Sequence, residues 1–163
     1  MKVLILYDSV FGNTEKIAMA MQRAIAPKHT VTAVRVGSFT TGMLDDLDLL
    51  VVGSPTRAFR PTKAVVSLLK GLSSDALAQG IHTAAFDTRV SVEEVNSKLL
   101  SAMVRLFGYA AQPIDKQLTR CKGTPIAQPT WFFVEDKEGP LRAGEEERAA
   151  AWIGQLVDRL PMV

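Results

Sequence analysis

The chain has 163 residues, 47% of them apolar and 22% charged, with a formal net charge of +2 and a single cysteine. At roughly 100–200 residues per domain this predicts one domain over 1–163, burying about 70% of the surface its unfolded chain exposes. Such balanced charge excludes a nucleic-acid-binding protein, the lone Cys121 excludes an internal disulfide or a cysteine metal cage, and no apolar run approaches the roughly 18 residues of a membrane span. The apolar start of the chain is too short for a signal peptide and is closed by Asp8, so a reducing, cytoplasmic setting is the expectation.

Lys2-Val-Leu-Ile-Leu-Tyr7 is almost continuously apolar, the pattern of a strand buried on both faces of a parallel sheet. Asp8-Ser-Val-Phe-Gly-Asn13 follows, and then Ile17, Met21 and Ile25 fall at helical spacing before Pro27. Residues 30–36 are rich in β-branched side chains and predict a second strand. Asp48-Leu-Leu-Val-Val-Gly53 predicts a third, and the loop 54–62 leads to a helix marked by Val65, Leu68, Leu69 and Leu72. Thr83-Ala-Ala-Phe86 is a fourth strand, expected to end at Asp87-Thr-Arg89. Ser91-Val-Glu-Glu94 has the form of a capping box for a helix continued by Val95, Leu99, Met103 and Leu106, with Gly108 as its stop.

Residues 110–118 suggest a short helix. Trp131-Phe-Phe-Val134 is the last strand, and Pro125 and Pro129 ahead of it point to an edge position or a bulge. The closing helix carries Ala149, Ile153, Leu156, Val157 and Leu160 at core spacing, with Glu145, Glu146 and Glu147 at its positive end. Strands and helices alternate throughout. That alternation specifies an α/β fold with a doubly wound, five-stranded parallel sheet and helices on both faces.

In such sheets ligands bind beyond the carboxyl ends of the strands, where the strand order reverses. Residues 9–14 are the most specific of these ends. Gly12 permits close approach of an anion to backbone N–H groups at a helix start, and Ser9, Asn13 and Thr14 add donors. The turn has neither a Walker lysine nor a Gly-x-Gly-x-x-Gly pattern, which argues against a nucleotidase or a dinucleotide fold. A receiver domain needs an acidic phosphoacceptor at the end of strand three, and Val51-Val-Gly-Ser54 offers none. Trp131 and Trp152 read as core or half-buried anchors, Cys121 as an incidental surface thiol, and His29 and His82 lie at the wrong end of the sheet for the site. No catalytic side chain and no metal ligand set is evident.

Ser9-Val-Phe-Gly-Asn-Thr14 after an N-terminal strand resembles the phosphate loop of the flavodoxin family. Val52-Gly-Ser-Pro-Thr56 and Ala85-Phe-Asp-Thr-Arg89 are similar to that family's two ring-contacting loops. Gly139-Pro-Leu141, Gly144-Glu145, Arg148-Ala149 and Trp152 resemble the C-terminal signature of its bacterial and archaeal members, so the likeness spans the chain. It implies a 2-1-3-4-5 sheet binding flavin mononucleotide (FMN) at the switch point. It also implies that Ser9, Val10, Phe11, Gly12, Asn13 and Thr14 surround the 5′-phosphate. Ser54, Pro55, Thr56, Arg57, Ala58 and Phe59 would line one side of the flavin ring, and Asp87, Thr88 and Arg89 its pyrimidine edge and other side.

Two departures accompany the likeness. Phe11 stands where many flavodoxins have a threonine, and neither ring loop holds a Trp or Tyr, which leaves Phe59 as the stacking candidate. Arg57, Arg60 and Arg89 also replace the usual acidic surroundings. Positive charge near the ring stabilises the reduced anion, so a less negative potential than that of acidic flavodoxins is expected. The implied function is electron transfer with a redox partner protein. A quinone- or protoporphyrinogen-type oxidoreductase using a small quinone-type acceptor, and an FMN-free interaction module, remain open, as does the oligomeric state.

Overall fold

The computed structural model describes residues 1–91, 102 and 108–160. The capping box beginning at Ser91 and the helix expected from Val95 to Leu106 fall, Ser91 and Ala102 apart, outside the described residues. β1 (Lys2–Tyr7), β2 (Thr30–Arg35), β3 (Leu49–Pro55) and β4 (His82–Val90) form a parallel sheet in the order β2-β1-β3-β4. The fifth position is shared by two segments on the free edge of β4. β5 (Thr124–Pro125) pairs with its start, and β6 (Thr130–Val134) with its end. Pro129, which lacks an N–H, lies between the two segments and cannot donate to a ladder, so the prolines do mark an edge.

The helices described are α1 (Asn13–Ile25), α2 (Lys63–Gly71), α3 (Ala111–Arg120) and α4 (Glu145–Arg159). Alternate strand residues face opposite sides of a sheet, and the core divides accordingly. Val3, Ile5, Leu49, Val51, Ala84 and Phe86 pack against α1 through Ile17 and Met21, and against α4 through Ile153 and Leu156. Leu4, Leu6, Leu50, Val52 and Ala85 pack on the other face, against Val65 and Leu69 of α2 and Ile114 and Leu118 of α3. Phe86, Phe132 and Trp152 meet edge to face, with ring centres 5.8–6.4 Å apart. Gly53 makes room for this cluster, since a Cβ there would stand 2.1 Å from Phe86 Cζ.

Three sequence expectations are corrected. β4 does not end at Phe86: its register with β3 continues through Ser54–Asp87 and Pro55–Thr88, and β6 pairs with it as far as Val90. Asp87, Thr88 and Arg89 are therefore strand residues. Cys121 is buried beneath the end of α3 rather than at the surface. Trp131 is 41% exposed rather than an anchor, because it sits on the edge strand facing away from the Phe132 cluster; Trp152 does pack against that cluster.

Candidate functional site

From β1 the chain passes to β2 on one side and to β3 on the other, so the strand order reverses between β1 and β3. A cleft of about 740 Å³ opens beyond the carboxyl ends of β1, β3 and β4. Residues from all three expected segments line it: Ser9, Val10, Phe11, Asn13 and Thr14; Pro55, Thr56, Arg57, Ala58 and Phe59; Thr88 and Arg89. Gly12, Ser54 and Asp87 are not among the lining residues.

At the first end, Gly12 takes φ +85° and turns the chain into α1. The first intrahelical bond is Lys16 N–H to Gly12 C=O (3.0 Å), so the N–H groups of Asn13 and Thr14 have no acceptor within the helix. The Glu15 N–H donates to Ser9 Oγ at 3.4 Å, which leaves the Ser9 hydroxyl hydrogen to donate elsewhere. Arg35, at the end of β2, donates to the Ser9 carbonyl and lies 3.5 Å from Asp8, bracing the start of the turn. Thr14 and Thr88 share a buried hydroxyl–hydroxyl bond of 2.8 Å, which ties the first segment to β4.

Asn13 departs from its expected role. Its amide donates to the Glu138 carbonyl at 2.9 Å and clamps the 135–140 turn against the 9–14 loop. Gly139 is required there, because a Cβ on it would stand 2.7 Å from Asn13 Nδ2. That clamp brings Asp136 and Lys137 to the cleft wall, together with Val134.

In the second segment Ser54 is fully buried and points away from the cleft. Its Oγ accepts from the Thr62 N–H (3.0 Å) and donates to the Pro55 carbonyl (3.0 Å), and so holds the loop to the start of α2. Arg57 and Arg60 exchange two backbone bonds of 2.8 and 3.0 Å around Ala58 and Phe59, whose φ angles are +45° and +66°. This is a tight reversal with two positive-φ centres, a conformation that costs non-glycine residues of order 1–3 kcal/mol each. It overhangs the cleft and lays the Arg57 guanidinium 5.4 Å from the centre of the Phe11 ring. Arg60 lies outside the cleft and borders a smaller hollow of about 370 Å³ between α2 and α3.

The third segment is built on a buried ion pair. Arg89 Nε and Nη2 donate to the two oxygens of Asp87, each at 2.6 Å. Asp87 is fully buried and also accepts from the Ala111 N–H at 3.0 Å and the Thr56 hydroxyl. Burial pushes its carboxyl above the ordinary range, while Arg89, Ala111 and Thr56 pull it down. The Arg89 guanidinium lies over the rings of Tyr109, 3.4 Å from its centre, and Trp131, at 4.8 Å. Arg89 is therefore a compensated charge rather than a free cation.

Val90, Tyr109, Val134, Asp136 and Lys137 complete the lining and were not anticipated. Val134 ends β6 and Asp136 and Lys137 follow it, so a search at the carboxyl end of that strand finds all three. Nothing local marks Tyr109, which arrives from just before α3. Among the described residues the large exposed hydrophobics are Val10, Phe11 and Trp131, at 50%, 42% and 41% exposure. Among the described residues no His, Cys, Asp and Glu cluster is arranged to hold a metal, and no helix is long and apolar enough to cross a membrane.

Neither a protein-family model nor a curated protein matches the sequence. Solved structures do match. A flavodoxin from the domain Archaea superposes with a TM-score of 0.76 at 16% identity, covering 98% of each chain. Oxidised flavodoxin 1 from Bacillus cereus gives 0.74 at 14% identity, over 99% of this chain and 100% of that one. Rubredoxin oxygen:oxidoreductase from Desulfovibrio gigas gives 0.72 at 19% identity, over 96% of this chain but 35% of that one. The chain has the flavodoxin fold, with the expected strand order.

Proposed function

We propose that this flavodoxin-fold chain binds FMN in the cleft and acts as a cytoplasmic, single-domain electron-transfer protein. One observation carries the reading: three segments far apart in the chain converge on one cleft where the strand order reverses. Its volume falls within the roughly 300–1,000 Å³ of small-molecule sites. The donor set fits a phosphate at the α1 end. No atom lies within 4 Å of where a Cβ on Gly12 would stand, which leaves the backbone open to an anion. Ser9 Oγ and the N–H groups of the first turn of α1 would bind it, with Arg57 and Lys137 supplying positive charge nearby.

At the other end Thr56, Arg57, Ala58 and Phe59 would face Thr88, Arg89 and Tyr109 across the ring. When bound, FMN supplies the reversible electron chemistry, and the chain needs no acid or base of its own. Exposed Val10, Phe11 and Trp131 beside the cleft offer apolar contact to a redox partner protein or a quinone-type acceptor. The FMN-free interaction module draws support from Asn13, whose amide is engaged with Glu138, and from the Asp136 carboxylate at the cleft wall.

An absorption spectrum of the purified protein and a fluorescence titration with FMN separate the two. Flavin bands, or quenching that saturates at one equivalent, support the redox reading. Absence of saturable binding at high micromolar FMN overturns it in favour of the module. Turnover of FMN-loaded protein with a quinone would mark an oxidoreductase rather than a carrier.

A further inference from the structure

Arginine carries five N–H donors in one plane. In Arg89 two of them are spent on Asp87, at 2.6 Å each, and the guanidinium lies 3.4 Å from the centre of the Tyr109 ring, a separation that requires parallel stacking. The remaining three N–H groups have no partner among the described residues, yet Arg89 is only 7% exposed and lines the cleft. None of the Arg89 nitrogens is a fully buried unpaired atom, so this edge opens into the cleft, where the acceptors of a ligand can meet it.

We propose that Arg89 is the specificity-determining residue of the cleft, selecting a planar ligand whose edge carries carbonyl or anionic acceptors and favouring the form with more negative charge there. The Asp87–Arg89 pair acts as a fixed dipole with its positive end toward the cleft. Both Asp87 oxygens are anchored, by Arg89, the Ala111 N–H and the Thr56 hydroxyl, and two aromatic rings pack on the guanidinium. Neither charge can reorient, so the stabilisation is preorganised. A planar fork pairs two acceptors at once, which the point charge of a lysine cannot do. Arg57, Lys137 and Asp136 also face the cleft, but Arg57 lies over the Phe11 ring alone, and none of the three is held between two rings against a buried counter-ion.

This rests on the FMN reading, since the flavin ring has such an edge and gains negative charge on reduction. The test compares the intact chain with Arg89→Lys and with the double variant Asp87→Asn/Arg89→Met, which removes both charges together and avoids stranding either one. FMN affinity is read by fluorescence, the potential of the bound flavin by equilibration with a reference dye, and the Tyr109–Trp131 surroundings by near-ultraviolet circular dichroism without ligand. The double variant should bind FMN about 10- to 100-fold more weakly, as for loss of a charge-assisted bond, and at a more negative potential. Arg89→Lys should resemble the double variant in affinity. If the unaltered chain binds FMN and both variants match it in affinity and potential, the inference fails while the FMN reading stands. An unaltered chain that binds no FMN overturns both.

Discussion

At one end of the cleft the donors are backbone N–H groups at the start of α1; at the other they are the side-chain N–H groups of one buried guanidinium. The first end needs little beyond a glycine at φ +85° and a helix start, and its parts are neighbours in the chain. The second needs Asp87, Arg89, Tyr109, Ala111, Thr56 and Trp131 brought together from five elements or loops. Backbone donors are inexpensive to hold and tolerate side-chain change around them. A buried charge is stable only while all its partners stay in place.

Breaking the second end should therefore have the largest effect. Asp87→Ala leaves Arg89 buried without its counter-ion and should cost about 3–5 kcal/mol in urea denaturation, whereas Asp87→Asn/Arg89→Met should cost far less. A single variant no less stable than the double one would contradict the argument. The same pair sets a pH dependence. Burial raises the native Asp87 pKa above its unfolded value, so the native state holds this proton more tightly. The stability it contributes is present below the unfolded pKa and is lost as pH rises through the native one. The unaltered chain should accordingly gain stability relative to Asp87→Asn as the pH is lowered from neutral into the carboxylate range.

The first end breaks more gently. Gly139→Ala places a Cβ 2.7 Å from the Asn13 amide at a backbone φ of +111°, and should cost about 1–3 kcal/mol. It should also push the 135–140 turn, with Asp136 and Lys137, away from the 9–14 loop. Thermal unfolding and FMN titration of the variant would reveal both effects. The smallest change is expected between the two ends. Ala58→Gly relieves the strain of φ +45° in the overhanging loop and should raise stability by about 0.5–1 kcal/mol if that strain outweighs the added freedom of the unfolded glycine. Destabilisation there would mean that the loop is not strained.

The same contrast explains what could be read before the fold was seen. β1 and β3 are legible because strands covered on both faces become continuous apolar runs, and the 9–14 turn is legible because strand, glycine and helix start are contiguous. The far end of β4 is not legible, because Asp-Thr-Arg looks like a strand end; only the burial of Asp87 against Arg89 keeps such residues inside a sheet. The resemblance puts Ser54 beside the ring, but its hydroxyl faces the other way and ties the loop to α2. Asn13 lies at the cleft as expected, but its side-chain amide also holds a turn over a hundred residues away, which nothing local announces. Tyr109 and Trp131 carry no local sign of their meeting on Arg89, since tertiary packing alone sets it.

One ligand is expected to engage both ends of this cleft. Amide resonances of isotope-labelled protein, followed during addition of FMN, test it most directly. Saturable shifts are expected in 9–14, 56–59, 88–90 and Tyr109, with β2 and the outer face of α4 unmoved. Shifts confined to another surface, or none at millimolar FMN, would contradict it.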